Sequence, residues 1–475
     1  MKKILISILS LILIWGCTKD ITSVNNNPKA PEVVLANSLF SNAQKELFDY
    51  MASPNVNVNT FRLWSQHWTQ TTYVDESNYE LLERNINGEV FDRLYARILR
   101  DLAEARVIMD ADEFLSDADK ANQLAMITVL EVYSYHVLVD IFGDVPYSEA
   151  LDGNNNVTPV FDDAAGIYKD LFTKLDGAIT ALGAGSAGNL ADGDFIYGGD
   201  AASWQTFASS LKLKLALRMA DIDPAMAQSA GSAALANVIS RDGQSARFSY
   251  QNSTPNTNPL WEDLVQSGRT DFVVANTLAD VMNSSEDPRR GVYFRELDSL
   301  GALIGLAHGA GGSYYTHSQP GDALENKTLP GVLMDYTEVL FLQSEAAARG
   351  WGGDASALYQ AAVNQSVTDW TGTAATAAFL NKVHYDSLMA APNNKTWKEV
   401  IATQKWVALY NRGFEAWSTW RLYDAPTMNV SAEAGTTPPT RYNYSVDEYS
   451  INGTSVSAAN SGSDLVTDKV FWDVN

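Results

Sequence analysis

Residues 59–85 read NTFRLWSQHWTQTTYVDESNYELLERN. Trp64, Trp68, Tyr73 and Tyr79 stand there among Gln, Asn, Asp and Glu. This mixture suits saccharide recognition. A flat aromatic face meets the apolar face of a pyranose, and planar amides or carboxylates meet its hydroxyls. Three further aromatics sit in long Gly-, Asn- and Ser-rich stretches: Trp261 in NSTPNTNPLWEDL, and Tyr314 and Tyr315 in HGAGGSYYTHSQPG. A large aromatic in such a loop either covers the core from outside or faces a ligand. The candidate ligand-binding set is therefore Trp68, Tyr73, Trp261, Tyr314 and Tyr315. Trp64 and Trp68 are four residues apart, so on a helix they share a face, which is also how two core tryptophans look.

Signals for covalent chemistry are weaker. The five histidines, His67, His136, His308, His317 and His384, never pair at i, i+4, so a helical zinc motif is absent. GAGSAG at 183–188 fits the spacing of a dinucleotide loop but follows a helix rather than a strand, and reads as linker. Ala184 stands where a nucleophile elbow at Ser186 requires glycine. Asp152, Asn154, Asn156 and Thr158 alternate as calcium ligands do. Val157 replaces the turn glycine, however, and Asp163 the bidentate glutamate. No catalytic residue, metal or cofactor is expected. With 57 acidic residues, paired carboxylates for glycoside hydrolysis are inevitable somewhere and carry little information.

Cys17 is the only cysteine, so neither an internal disulfide nor a Cys-based zinc site can form. What precedes it explains it better. Lys2 and Lys3 form a positive start, and residues 4–15 form an apolar run too short to span a bilayer. That is an export signal. Ile14-Trp15-Gly16-Cys17 resembles the bacterial lipobox, with Trp15 as its departure from the small residue usual before the glycine. The expected organisation is a signal peptide at 1–16, a lipidated Cys17 with a polar tether at 17–32, and a folded body at 33–475. The net charge of -24 repels phosphate backbones, which argues against nucleic-acid binding.

The elements that must position these residues are mainly helical. Apolar residues recur at three- and four-residue spacing over 33–48, 87–109, 167–182, 203–219, 333–349, 355–370 and 397–412, with another helix at 413–423. Residues 117–142 are apolar on nearly every face and read as a buried helix ended by Gly143 and Pro146. Strand signals are short, at 246–250 and 292–295. Consecutive helix pairs predict a mostly α fold of degenerate tetratricopeptide-like hairpins. Long excursions between them are the places where function is usually carried.

Three ordered stretches, LVDIFGDVPYSEAL (138–151), YTEVLFLQSEAAARGW (336–351) and IATQKWVALYNRGFEAWSTWRLYDAP (401–426), together with KVFWD (469–473) and the lipobox, resemble a known family. It is the SusD/RagB family of Bacteroidetes outer-membrane lipoproteins, in its SusD-like nutrient-binding subgroup. The resemblance runs across almost the whole mature chain. It implies a SusD-like α-α superhelix, lipid-anchored at the outer membrane and facing the exterior. It also implies a SusC-like TonB-dependent channel as partner, and capture of a glycan or peptide oligomer without covalent chemistry. A surface glycosidase or peptidase, and a helical scaffold binding only protein, are the alternatives. Within the signature stretches, Glu338 and Glu345 lie two helical turns apart on an otherwise apolar helix and need buried partners. These stretches are read as scaffold rather than ligand contacts.

Overall fold

The computed structural model describes residues 34–153, 155–183, 189–460 and 462–475. Cys17, the leader at 1–16 and the tether at 17–32 lie outside the described residues, as do residues 184–188. The frame is a series of antiparallel helix pairs. Helix α1 (Ala36–Ala52) packs on α2 (Arg100–Ala111). Then α3 (Asp117–Phe142) packs on α4 (Ala164–Gly183), which packs on α5 (Ala201–Met219), which packs on α6 (Pro224–Ala234). After a long looped insertion, α7 (Tyr336–Ala348) pairs with α8 (Ala355–Thr371), and α9 (Trp397–Ala408) with α10 (Gly413–Tyr423). Among the described residues, strands are confined to four antiparallel two-stranded ribbons.

Local chemistry sets the boundaries. The Ser116 hydroxyl accepts from the Asp119 N–H and starts α3. Gly143, at φ 88°, turns the chain out of it. This helix is long and apolar enough to cross a bilayer, yet 83% of its most apolar window is buried inside the body, as a core helix requires. Asp335 caps α7, and a reciprocal Thr396/Glu399 capping box starts α9. Three expected helices differ in detail. The one at 87–109 begins at Ile86 and widens into a π-helical stretch at Asp92–Leu99 before α2. Leu333 and Met334 end the strand Gly331–Met334 instead of starting α7. The third, at 397–412, stops at Ala408, and Asn411 then takes a left-handed φ of 68°.

The signature stretches meet in a buried charged junction. Lys214 Nζ lies 2.8 Å from Glu338 Oε1 and 2.6 Å from Glu415 Oε1. Arg412 pairs with Glu338 from the other side. Arg218 joins Glu415 (3.2 Å) to Asp140 (2.8 Å). Asp140 also accepts from Trp472 Nε1 at 2.7 Å and from the Tyr168 hydroxyl at 2.5 Å. The Arg421 guanidinium lies 3.4 Å from the Trp417 ring centroid and 4.7 Å from that of Trp472, and donates to the carbonyls of Asp140 and Thr440. Burial opposes ionisation of Glu338, but Arg412 and Lys214 outweigh it and hold its carboxyl below the usual range. Glu345 has a partner in Arg349 at 3.2 Å. Glu338 is thus met by cations from other elements, Lys214 of α5 and Arg412 between α9 and α10, which ties these helices together, while Glu345 is met by Arg349 one turn on at the end of its own helix.

Candidate functional site

The stretch at 59–85 does not form one helix. A single turn, Phe61–Trp64, is broken by Gln66 at φ 53°, and the chain continues as the strand β1 (Trp68–Gln70). Gln66 can hold that conformation because its amide is fully engaged. It donates to the Tyr79 hydroxyl and the Asn429 carbonyl, and accepts from Thr277 and the Asn429 N–H. Consequently Trp64 and Trp68 share no helical face, and both are buried. Trp68 is 1% exposed, donates from Nε1 to the Tyr410 hydroxyl at 3.1 Å and packs against Phe272. Its place in the candidate set is corrected here: β1 pairs with Phe272–Val274, and this pairing seals the indole beneath the surface.

The other four candidates lie on segments that touch one another in series: Tyr73 on a turn, Tyr314 and Tyr315 on the 3-10 turn Tyr314–Thr316, and Trp261 at the end of the short helix Pro259–Trp261. After β1, the Thr71 N–H donates to the Asp271 carbonyl at 2.7 Å, and the Thr71 carbonyl accepts from the Gly312 N–H at 2.9 Å. Tyr73, two residues on, is 75% exposed with a left-handed φ of 52°. Beyond Gly312, Tyr315 is 79% exposed and stands edge-on to the half-buried Tyr314, with centroids 5.4 Å apart. Arg295 donates to the Tyr314 hydroxyl and is anchored by Asp322 at 3.0 Å and Glu325 at 2.7 Å. Two residues past Glu325, Lys327 places Nζ 4.4 Å from the ring centroid of half-buried Trp261. Tyr73, Tyr315, Tyr314 and Trp261 therefore follow one another along this series of segments.

Asn78 fastens these loops. Its Nδ2 donates to the carbonyls of Val74 and Gly309. Its Oδ1 accepts from the Ser431 hydroxyl and from the N–H groups of Glu433 and Ala434. One amide thus joins the turn carrying Tyr73, the glycine loop before Tyr315 and the late excursion at 431–434. Gly309 is required here: a Cβ would lie 2.3 Å from Ser431 Oγ and 2.5 Å from Asn78 Oδ1, and φ is +74°. Under the same loops His308 is buried, and burial pushes its pKa down to about 3. It stays neutral there at ordinary pH.

The arrangement offers aromatic surface flanked by fixed polar groups, which can bind but supplies no nucleophile paired with a base. Among the described residues no cluster of His, Cys, Asp or Glu is placed to hold a metal ion. Asn78, Arg295, Asp322, Glu325 and Lys327 were not singled out by the sequence. A usable signal was the glycine run HGAGG, which demands close backbone approach from another segment.

A family model described as starch-binding, associating with the outer membrane, matches residues 28–445. No curated protein is detectably similar to the chain. Among solved structures, a chitin-binding protein is 25% identical with a TM-score of 0.79, over 93% of this chain and 100% of that one. A chitin-binding SusD homologue from Flavobacterium johnsoniae is 24% identical with a TM-score of 0.76, over 93% and 98%. A SusD homologue from Parabacteroides distasonis is 21% identical with a TM-score of 0.80, over 93% and 98%. With the family model spanning most of its length and these folds superposing on nearly all of it, this chain belongs to the SusD-like family.

Proposed function

We propose that this protein captures a glycan at the outer face of the outer membrane and passes it to a SusC-like TonB-dependent channel. The observation that carries the reading is the series of exposed and half-buried aromatics Tyr73, Tyr315, Tyr314 and Trp261, the turn of Tyr73 and the glycine loop before Tyr314 and Tyr315 being fastened by Asn78. Aromatic platforms with polar neighbours fit pyranose rings in an extended chain. Family membership supports the same reading. The family model carries the description starch-binding, and two of the similar structures are of chitin-binding proteins. In this reading Cys17 is the lipid attachment point, and the segment 17–32 tethers the body to the membrane. The binding step needs no bond making or breaking, so the protein is a carrier and not an enzyme.

The test is a titration of the purified body with maltohexaose and chitohexaose, followed by chromatography of the sugars. The expected result is saturable binding of at least one of them without shortened products. Tyr73→Ala combined with Tyr315→Ala should weaken that binding about tenfold or more, since aromatic anchors dominate such interfaces. The melting temperature should stay unchanged, because both side chains are largely exposed. Hydrolysis products would replace the carrier reading with a glycosidase. Undiminished binding in the double variant would remove the tyrosine loops from the site.

A further inference from the structure

A second cleft lies outside the tyrosine loops, where α7 and α8 meet the looped insertion. Two adjoining cavities, of about 260 Å³ and about 90 Å³, share Leu329, Pro330, Val332, Asp335, Trp370 and Ala408 in their walls. Together they fall at the low end of the ~300–1,000 Å³ range of small-molecule sites. Trp370, in the last turn of α8, is half-buried. Tyr293 and Tyr410 meet its ring edge-on, at centroid distances of 4.8 and 5.5 Å, and so fix its plane.

The polar groups in this wall are incompletely used, in both senses. Arg412 is 9% exposed, yet its Nη1 has no hydrogen-bond partner, the closest anion being Asp335 Oδ1 at 3.4 Å. On the acceptor side, Asp335 Oδ1 takes only the Glu338 N–H at 2.7 Å. The two oxygens of Asp369 take one hydrogen bond each, from Thr337 and Gln365. Carboxylate oxygens have further lone pairs to offer. Arg247, at the rim, is occupied by Asp242 through two contacts of 2.8 and 2.5 Å. An ammonium ligand would leave the free donors unanswered, and an anion would meet two carboxylates. A hydroxyl both donates and accepts, and a pyranose adds an apolar face for the indole.

We infer that the cleft over Trp370 is a second saccharide subsite, taking one neutral pyranose residue between the Trp370 indole and the Asp335, Asp369 and Arg412 side chains. This inference rests on the glycan reading above. It adds a contact that shares no residue with the tyrosine loops, so a long oligosaccharide, or a second one, could be held independently of them.

The experiment uses the purified body labelled with 5-fluorotryptophan, with the Trp370 resonance assigned from a Trp370→Phe variant. Maltohexaose and chitohexaose are titrated into the wild type and into the Tyr73→Ala/Tyr315→Ala variant. A saturable shift of the Trp370 resonance that persists in the double variant is the expected result. Asp369→Asn should raise its half-saturation concentration about fivefold, as loss of a charged hydrogen-bond acceptor does. Asp369 is exposed, so this change does not threaten folding. Binding by the wild type with a stationary Trp370 resonance would overturn the second subsite and leave the glycan reading intact. Failure of the wild type to bind either sugar would overturn both.

Discussion

The charged junction and the tyrosine loops use polar residues in opposite ways. In the junction, Lys214, Arg218, Glu338, Glu415 and Asp140 are buried and their charges are answered by one another, by Trp472 and by Tyr168. On the loops, polar residues such as Asn78 and Arg295 hold backbone and hydroxyl groups, and leave Tyr73 and Tyr315 in solvent. The first arrangement is expensive to disturb, because removing one partner leaves a buried charge. The second presents aromatic surface that nothing inside the chain uses. A family signature can therefore be dense in charge and tryptophan and still be scaffold, while the binding surface is written in less distinctive tyrosines.

Acid should strain both regions at once, and this is the largest effect expected. His136 in the junction, and His67 and His308 beneath the loops, each have a pKa lowered to about 3, chiefly by burial. A depressed folded pKa means the unfolded chain binds the proton first. Stability is then full above the ordinary value of 6.5 and falls as pH drops from 6.5 toward 3, by up to about 1.4 kcal/mol per unit for each histidine. Glu338 and Glu415 add a second loss below the usual glutamate range, since both carboxyls are held down by the cations around them. Urea unfolding at pH 7.5 and pH 5 should differ by several kcal/mol. Equal midpoints at the two pH values would show that these histidines are not buried neutral.

Lys214→Met separates the regions. It leaves Glu338 to Arg412 and Glu415 to Arg218, both carboxylates being buried. The expected cost is about 3–5 kcal/mol in urea unfolding, with saccharide affinity per folded molecule unchanged. A loss below about 1 kcal/mol would mean that the junction tolerates loss of the cation its two glutamates share, and the contrast with the loops would lose its basis.

How much of this was legible depended on whether the cause was local. The helix pairs were readable because 3.6-residue periodicity and helix-ending residues such as Gly143 and Pro146 act within a few residues. The need of Glu338 and Glu345 for partners followed from their apolar surroundings. The partners of Glu338 did not, because Lys214 and Arg412 come from elements whose approach is set by tertiary packing, whereas Arg349 stands four residues after Glu345 at the end of the same helix, a spacing the sequence itself shows. The shared helical face that the four-residue spacing of Trp64 and Trp68 allows does not form, and nothing in the composition of the stretch marks Gln66 as left-handed. That conformation depends on contacts with Thr277 and Asn429, more than 200 residues away. The same distance hid Asn78, whose partners sit near 309 and 431. Loop aromatics could be nominated from sequence, but only the pairing of β1 with Phe272–Val274 sorts buried Trp68 from exposed Tyr73.

The smallest expected effect tests whether the loop surface is shaped for something other than stability. Tyr73 holds φ 52° with its ring in solvent, a conformation that costs an L-residue roughly 1–2 kcal/mol and glycine almost nothing. Glycine also loses more chain entropy on folding, which offsets part of the relief. Tyr73→Gly should therefore raise unfolding stability slightly, by about 0.5 kcal/mol. A residue that served the fold would show the opposite sign. If the tyrosine is kept for its exposed ring, the same variant should bind saccharide several-fold more weakly while melting no earlier. A drop in stability would place Tyr73 with Trp68, as part of what holds the loops, and would shift the weight of the site onto Tyr314, Tyr315 and Trp261.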